Sequence, residues 1–451
     1  MNRVLIFLLL SVLLFSVSVY TEKCVEADSG SQWMRSYGGP NREEAECVIQ
    51  SNDGGFVIVG YSARSSASNS HDFWIVKTDS NGDMQWNRTY GGTDNEEAYC
   101  VVQTTDGGYA VVGDVNPGPS GGTDILLVKI NANGDMQWNK TYGGGVGSES
   151  HAFSLIQTSD GGYAIAGSFV LVGLGSQPHT INMYLVKTDS SGNKLWERTY
   201  GVNRDFARSL IQMSDGGYVL AGGVNDAVVV GRSSFELVKT NGNGYKEWSK
   251  TYERGGSNIA YSMVQSSDGG YVLVGSSNPG ATSGGGLSAF WLVKTDAGGT
   301  MVWNKTYGGT KTYDVPYCLC KTSDQGYAIA GASDGNAWLV KTNSDGSLQW
   351  DVKYKAKVAH SVIQLSDGGF ALAGYTENSA TGWDFVLLKT DNGGKCPEAE
   401  LSLPGEKPFW TQTWFLTAMA VIIGGIVAGV VFVRRHQKNV VIKTAQSESP
   451  T

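Results

Sequence analysis

The sequence predicts an all-β fold: a seven-bladed β-propeller of four-stranded antiparallel blades, its N-terminal strand closing the last blade, followed by one C-terminal transmembrane helix. Three observations predict it. A motif of the type SDGGYAIAG recurs seven times. Two of the four strands in each repeat are apolar on both faces. The last repeat lacks a strand that stands alone at the other end of the chain.

Composition agrees with short strands joined by tight turns. The 451 residues include 61 glycines and only 10 prolines, and 17% are charged. So aromatic a chain is not disordered. A net charge of −8 gives no electrostatic footprint for nucleic acid or an anionic membrane surface.

Residues 1–20 read as a secretory signal: Arg3, then an apolar run from Val4 to Tyr20, with a cut expected after Ser18 or Tyr20. No lipobox precedes Cys24.

The repeat spans about residues 31–395. Its turn aspartates are Asp53, Asp106, Asp160, Asp215, Asp268, Asp324 and Asp367, spaced mostly 53 to 56 residues apart and 43 at the end. Such a period marks repeat architectures. Gly-Gly follows six of them, and the copy at Asp324 reads Asp-Gln-Gly. An apolar run comes next, such as YAIAG.

A second hairpin carries Lys77, Lys129, Lys187, Lys239, Lys294, Lys341 and Lys389. Asp or Asn follows each two residues later and glycine five residues later. That is hairpin chemistry, with an Asx side chain capping the turn and glycine taking positive φ. Nine residues after the first six lysines stands tryptophan: Trp86, Trp138, Trp196, Trp248, Trp303 and Trp350.

Each repeat therefore reads as strands A to D, in the first copy Glu44–Gln50, Phe56–Ser62, Asp72–Thr78 and Met84–Tyr90. B and C are nearly all apolar and belong inside the sheet. D pairs tryptophan with a tyrosine four residues on and carries charges, the mark of a protected edge. The seventh repeat has no tryptophan after Lys389, while Ser31–Gly39 is a D strand with Trp33 and Tyr37 but no A, B or C before it. A ring needs this arrangement; an open solenoid would carry atypical capping repeats instead.

Cys24 and Cys396 flank that closure and are expected to form a disulfide, plausible in an exported domain and worth about 3–5 kcal/mol in the chain-entropy model. Cys47, Cys100 and Cys318 share an A-strand position with Ser154, Ser209, Ser262 and Ser361, where a small buried residue is expected. Cys320 stands where other repeats have Val or Ile and is expected in the core.

At D-x-x-G-x-x-x-W, as in DSNGDMQW (79–86), the chain resembles the tryptophan-docking repeat of quinoprotein propellers and their non-enzymatic relatives. The resemblance implies that each of Trp33, Trp86, Trp138, Trp196, Trp248, Trp303 and Trp350 packs on the neighbouring blade. The period and the glycine after strand B are similar to kelch repeats, although a kelch double glycine occurs only at Gly222-Gly223. The chain most resembles DGGY-type propeller repeats in secreted and surface proteins of bacteria and archaea. A quinone cofactor would imply a vicinal cysteine pair and carboxylate metal ligands. The chain has Cys318-x-Cys320 instead, so no cofactor is expected.

No His/Cys spacing fits zinc. The acidic C–D turns, such as Asp79, Asn81 and Asp83, read as turns rather than calcium loops, because other copies lose the last acid. GASDG (331–335) matches G-x-S-x-G but opens a B–C loop, not a strand-to-helix elbow. Catalysis is not expected. Asn87, Asn139 and Asn304 begin N-glycosylation sequons on the outward face of D strands.

The A–B and C–D turns keep their length, whereas the D–A and B–C loops vary, and variable loops on a rigid scaffold are where binding resides. Acids gather where D–A loops enter strand A: Glu43, Glu44, Glu96, Glu97, Asp205 and Asp314. Near a channel mouth they could hold a cation or a basic partner; solvated loop charge is the alternative.

After a short stalk (396–412), residues 414–433 contain no charge and precede RRHQK. Twenty apolar residues span a bilayer, and the basic cluster keeps the tail (434–451) cytoplasmic. Gly425-x-x-x-Gly429 suits helix pairing and a homodimer.

The expected function is a membrane-anchored cell-surface module, propeller outside, binding an extracellular protein or polysaccharide and no nucleic acid. The alternatives are a carbohydrate-active hydrolase or lyase with channel carboxylates, and a structural envelope component.

Overall fold

Twenty-eight strands form seven four-stranded antiparallel sheets. The structure, a computed structural model, describes residues 32–396 apart from 40, 66–69, 117–121, 146, 172–179, 202–203, 226–231, 279–286, 310–311 and 379–381. The expected signal, Cys24, nearly all of the stalk, the span at 414–433 with its Gly425-x-x-x-Gly429 motif, and the tail lie outside the described residues. Among the described residues no helix is long and apolar enough to cross a membrane.

Blade 1 comprises β2 (Glu43–Gln50), β3 (Phe56–Ala63), β4 (His71–Thr78) and β5 (Met84–Tyr90), within a residue or so of the expected A to D. β3 and β4 are almost wholly buried, while β5 alternates exposed and half-buried positions before a buried Tyr90. The pattern recurs in blades 2 to 6.

Blade 7 is assembled from both ends of the propeller. β26 (Val358–Gln364), β27 (Phe370–Asn378) and β28 (Gly382–Lys389) take β1 (Trp33–Tyr37) as their outer strand. Its register repeats that of blade 1: Trp33 faces Lys389 and Tyr37 faces Phe385, as Trp86 faces Lys77 and Tyr90 faces Phe73. The ring expected from the orphan strand is present.

The hydrophobic core lies between blades. One cluster joins Val57, Val59 and Ile75 of blade 1 to Val101, Tyr109 and Val111 of blade 2. Another joins Trp33, Phe385 and Leu387 of blade 7 to Val48, Phe56 and Trp74 of blade 1. Each sheet thus completes its burial only against its neighbours, so the apolar faces of B and C seal the junctions.

The D strand docks as the tryptophan resemblance implies. Trp138 of blade 2 lies on the turn glycine of blade 3, Gly192, and meets the edge of Tyr163 at 5.9 Å between ring centres. Tyr142, on the same strand, donates its hydroxyl to the Gly192 carbonyl at 2.7 Å. The tryptophans touch the next blade's turn glycine at all seven junctions, from Trp33 on Gly82 to Trp350 on Gly394. The tyrosine of SDGGY is therefore the wall that receives the preceding blade's indole.

The aspartate of SDGGY has its own partner. Asp53 accepts hydrogen bonds from Ser51 Oγ (2.6 Å) and the Gly55 amide (3.0 Å), and pairs with Lys77 Nζ at 2.8 Å. Lys77 is buried and also donates to the Thr78 carbonyl at 2.8 Å. The lysine thereby ties the A–B turn to the end of strand C, and a Lys–Asp pair of this kind occurs in every blade, with the longest at Lys389–Asp367, 3.4 Å. Partial burial alone would raise these carboxyls. The lysine, hydroxyl and amide hydrogen bonds outweigh it and hold Asp53, Asp106, Asp160 and Asp324 at about 2.

Two expectations follow. Because these folded-state values lie below the ordinary aspartate value, the clamps contribute fully above about pH 4 and fade as pH falls toward about 2. An acid titration followed by circular dichroism should therefore show unfolding concentrated in that window, and Lys187→Met should move it upward. The second concerns glycine. Gly161 and Gly192 both have positive φ, +82° and +75°, but a Cβ at Gly161 meets open space whereas one at Gly192 falls 2.6 Å from Trp138. Gly161→Ala should cost about 1–2 kcal/mol of backbone strain. Gly192→Ala should cost about 1–3 kcal/mol more from overpacking, read as a lower denaturation midpoint.

Candidate functional site

The A strands line the axis. β2, β6 (Asn95–Gln103), β10 (Ser148–Gln157), β14 (Asp205–Gln212), β18 (Ser257–Gln265), β22 (Asp314–Lys321) and β26 each contact the next, and β26 returns to β2. All seven carry a β-bulge at the same place, between Ala45 and Cys47 in β2 and between Ala359 and Ser361 in β26. A bulge adds one unpaired residue and re-aims its side chain.

Here the bulged residue and the small residue after it both face the axis, around a cavity of about 210 Å³. The bulged residues are Glu46, Tyr99, Phe153, Arg208, Tyr261, Tyr317 and His360. The following ring is Cys47, Cys100, Ser154, Ser209, Ser262, Cys318 and Ser361. Its members are small because seven backbones converge there, and they stitch neighbouring strands. Ser361 Oγ accepts from the Val48 amide at 3.2 Å, and Ser262 Oγ from the Leu319 amide at 3.1 Å. Cys100 Sγ donates to the Leu155 carbonyl at 3.8 Å. Burial pushes the Cys318 thiol up to about 11, so it remains protonated at neutral pH. Cys320 packs half-buried against the core, as its place in the repeat predicts.

The six acids expected at the mouth divide into two groups. Glu43, Glu96, Asp205 and Asp314 are buried behind the strand. Glu43 accepts from the Gly39 amide at 3.3 Å, Glu96 from Gly92 at 3.2 Å, and Asp314 from Gly309 at 2.7 Å, so these three brace the D–A loops. Glu44 and Glu97 are half-exposed. Glu44 pairs with Arg42 at 3.0 Å and accepts the Tyr61 hydroxyl. Glu97 accepts from Tyr99 at 2.7 Å and lies 3.2 Å from His71 Nδ1. The proximity of His71 holds the Glu97 carboxyl below its ordinary range, against burial.

Glu46 lies deeper. Burial raises its carboxyl, opposed by His360 at 3.3 Å. The donor atoms of Glu44, Glu46 and His360 lie within 4.8 Å of one another and could hold a cation, as no other group does among the described residues. Their existing bonds compete: Glu44 is engaged by Arg42, and His360 Nδ1 lies 3.0 Å from the Ala45 carbonyl.

On the side of blades 3 and 4 the mouth opens into a groove of about 470 Å³, lined among others by Glu149, His151, Phe153, Ser168, Phe206 and Arg208. His151 Nδ1 lies 2.6 Å from Asp114 Oδ2, which fixes the ring. Desolvation would lower His151, but the hydrogen bond and charge of Asp114 outweigh it and raise the imidazole.

Asn87, Asn139 and Asn304 are exposed on their D strands. Of the B–C loops, most lie outside the described residues. That of blade 6 is a tight turn at Asp334-Gly335, so GASDG ends a strand and enters a hairpin, with no helix after it.

The bulged ring was missed from the sequence. Its signal is a column that changes from Glu to Tyr, Phe, Arg and His, between one that is alanine in six of seven copies and one that is always Ser or Cys.

No protein-family profile matches the chain, and no curated protein matches its sequence. Among solved structures it is similar to puromycin hydrolase, at 12% identity and a TM-score of 0.52, with 85% of this chain and 56% of that one covered. A serine-to-alanine mutant of puromycin hydrolase complexed with PGG gives a TM-score of 0.50 at 12% identity over 80% of this chain and 54% of that chain. Sqt1 from Chaetomium thermophilum gives 0.44 at 11% identity over 78% of this chain and 97% of that one. The chain spans about half the length of the puromycin hydrolase chains it matches, and at these identities the likeness shows the propeller fold alone.

Asp114→Asn should drop the His151 titration below the ordinary histidine range, since burial and Arg208 both oppose its charge. NMR titration of the imidazole would read the shift; an unchanged value would remove Asp114 as its cause.

Proposed function

We propose that the chain is a single-pass surface protein whose propeller binds an extracellular protein or glycan at the channel mouth. The observation that carries this reading is the ring of bulged residues. Five residue types, with tyrosine three times, occupy the one A-strand position that a strict repeat would keep alike. Frame residues hold it in place from behind, so the variable column is free to meet a ligand.

The anchoring half of the proposal rests on the sequence: the apolar leader, the uncharged segment 414–433 and the basic residues after it. A Cys24–Cys396 disulfide would clip the ring beside its closing strand; Cys396 is buried.

The second reading is hydrolysis. Glu46 has a carboxyl raised by burial and lies beside Glu44 in the cleft, as a general acid requires. A hydrolase also occurs among the structures of similar fold, at 12% identity.

Glycan and protein arrays on the purified full-length chain, run beside a panel of glycosidase and peptidase substrates, separate the readings. Saturable binding without turnover is expected. Turnover abolished by Glu46→Gln would replace it with the second reading, and neither binding nor turnover would leave a structural envelope component. Peptide mapping without reductant should recover Cys24 and Cys396 joined; two free thiols would remove the clip.

A further inference from the structure

Arg208 is the cation of the bulged ring, and it lines both the central cavity and the groove beside it. It makes no ion pair or hydrogen bond with any described residue, and its Nε is buried without a partner. Its guanidinium carbon lies 3.9 Å from the centre of the Phe153 ring, 5.5 Å from Phe206 and 5.8 Å from Tyr261. Stacking on rings accounts for its placement, yet leaves its in-plane N–H groups unused. A guanidinium has five donors in a fixed fork and cannot shed its charge. Leaving the buried Nε–H unmet is costly.

We propose that Arg208 and the groove form a binding site for an acidic saccharide, with the guanidinium pairing the carboxylate of a uronate-type sugar. The proposal deepens the reading of the propeller as a binding module and rests on it.

Four features select this chemistry. A planar fork matches a carboxylate in bidentate fashion. Acids outnumber the one further cation, Arg204, near the site: Glu149 stands in the groove wall with Arg204, Glu46 across the central cavity, and Glu97 on the same mouth. These acids disfavour a doubly charged phosphate more than a singly charged carboxylate. Phe206, in the groove wall and 5.5 Å from the guanidinium, supplies flat apolar surface for the C–H face of a pyranose. Finally, Ser168, Glu149 and His151 offer hydroxyl-matching groups around the rim. Asp114 occupies His151 Nδ1, and Nε2 lies 4.0 Å from Glu149, on the groove side. The groove's roughly 470 Å³ falls within the range of about 300–1,000 Å³ usual for small-ligand sites.

The test is calorimetric titration of the purified full-length chain with a galacturonate trisaccharide, its carboxyl-reduced neutral counterpart, and a short peptide with a free C-terminal carboxylate. The uronate should bind saturably and weaken with salt, and the neutral sugar should bind about 10- to 100-fold more weakly. Arg208→Ala should lose the uronate by a similar factor. Arg208→Lys, which keeps the charge but not the fork, should recover only part of it, with unchanged thermal midpoints showing that both variants fold. Equal binding of the two sugars, or uronate binding indifferent to Arg208, overturns the proposal. So does Arg208-dependent binding of the peptide alone, which would leave the binding-module reading standing with a protein partner. No binding of any of the three also overturns it, and that outcome is distinct from silent arrays, which would sink the broader reading.

Discussion

Everything in this propeller depends on one contact made seven times: an indole and a phenol from the outer strand of one blade seated on the turn glycine of the next. Neither partner can be exchanged freely. The turn needs a residue at φ near +80°, which favours glycine, and glycine also leaves the bare backbone on which the indole lies. The tyrosine hydroxyl then takes the carbonyl of that glycine, at 2.6 Å for Tyr37 on Gly82 and for Tyr354 on Gly394. The contact fixes the spacing between sheets at the rim. The Ser/Cys stitches fix it at the axis, and the apolar faces of B and C fill what lies between. A blade alone would expose two apolar faces, so the stable unit is the closed ring, and closure makes the first strand indispensable to the last sheet.

The frame was legible in the sequence because it repeats. The Asp-Gly-Gly turn, the Trp-x-x-x-Tyr strand and the orphan segment at Trp33 recur in step, and each has a direct local meaning in turn or edge chemistry. The lysines in strand C were seen as part of the pattern, but their role was not. A lysine at the end of an apolar strand names no partner by itself, whereas Lys77 is buried and pairs with the exposed Asp53 of the A–B turn. Both recurred at every copy, which was the available signal of a pair.

The site was less legible, for a physical reason. Acids just after a variable loop look like mouth residues, yet strand alternation sends Glu43 and Glu96 inward to hold amides and leaves Glu44 and Glu97 outside. The bulge then breaks that alternation one turn of pleat later. A period-2 reading of β2 therefore assigns wrong faces on one side of Glu46. Nothing local in Ala-Glu-Cys announces a bulge. Only the alignment of all seven copies does, through a column that varies where its neighbours do not.

That irregularity separates two demands that usually conflict. Residues binding a ligand must differ around the ring, while residues packing seven sheets must be alike. Because the bulged position stands outside the ladder, a change there alters the channel while the Ser/Cys stitches between neighbouring strands stay in place. The charges show the result. Glu46 and His360 sit on adjacent blades, 1 and 7, while Arg208 is on blade 4, three steps away on a ring of seven, so the acid–histidine pair and the guanidinium face each other across the channel. Burial raises the Glu46 carboxyl, and His360 beside it, with a smaller contribution from the Arg208 guanidinium, opposes that rise. A nearly symmetric barrel thus carries an asymmetric field at its mouth. A ligand entering along the axis meets a cation on one side and acids on the other, and its own charge distribution fixes its orientation before any contact with the loops.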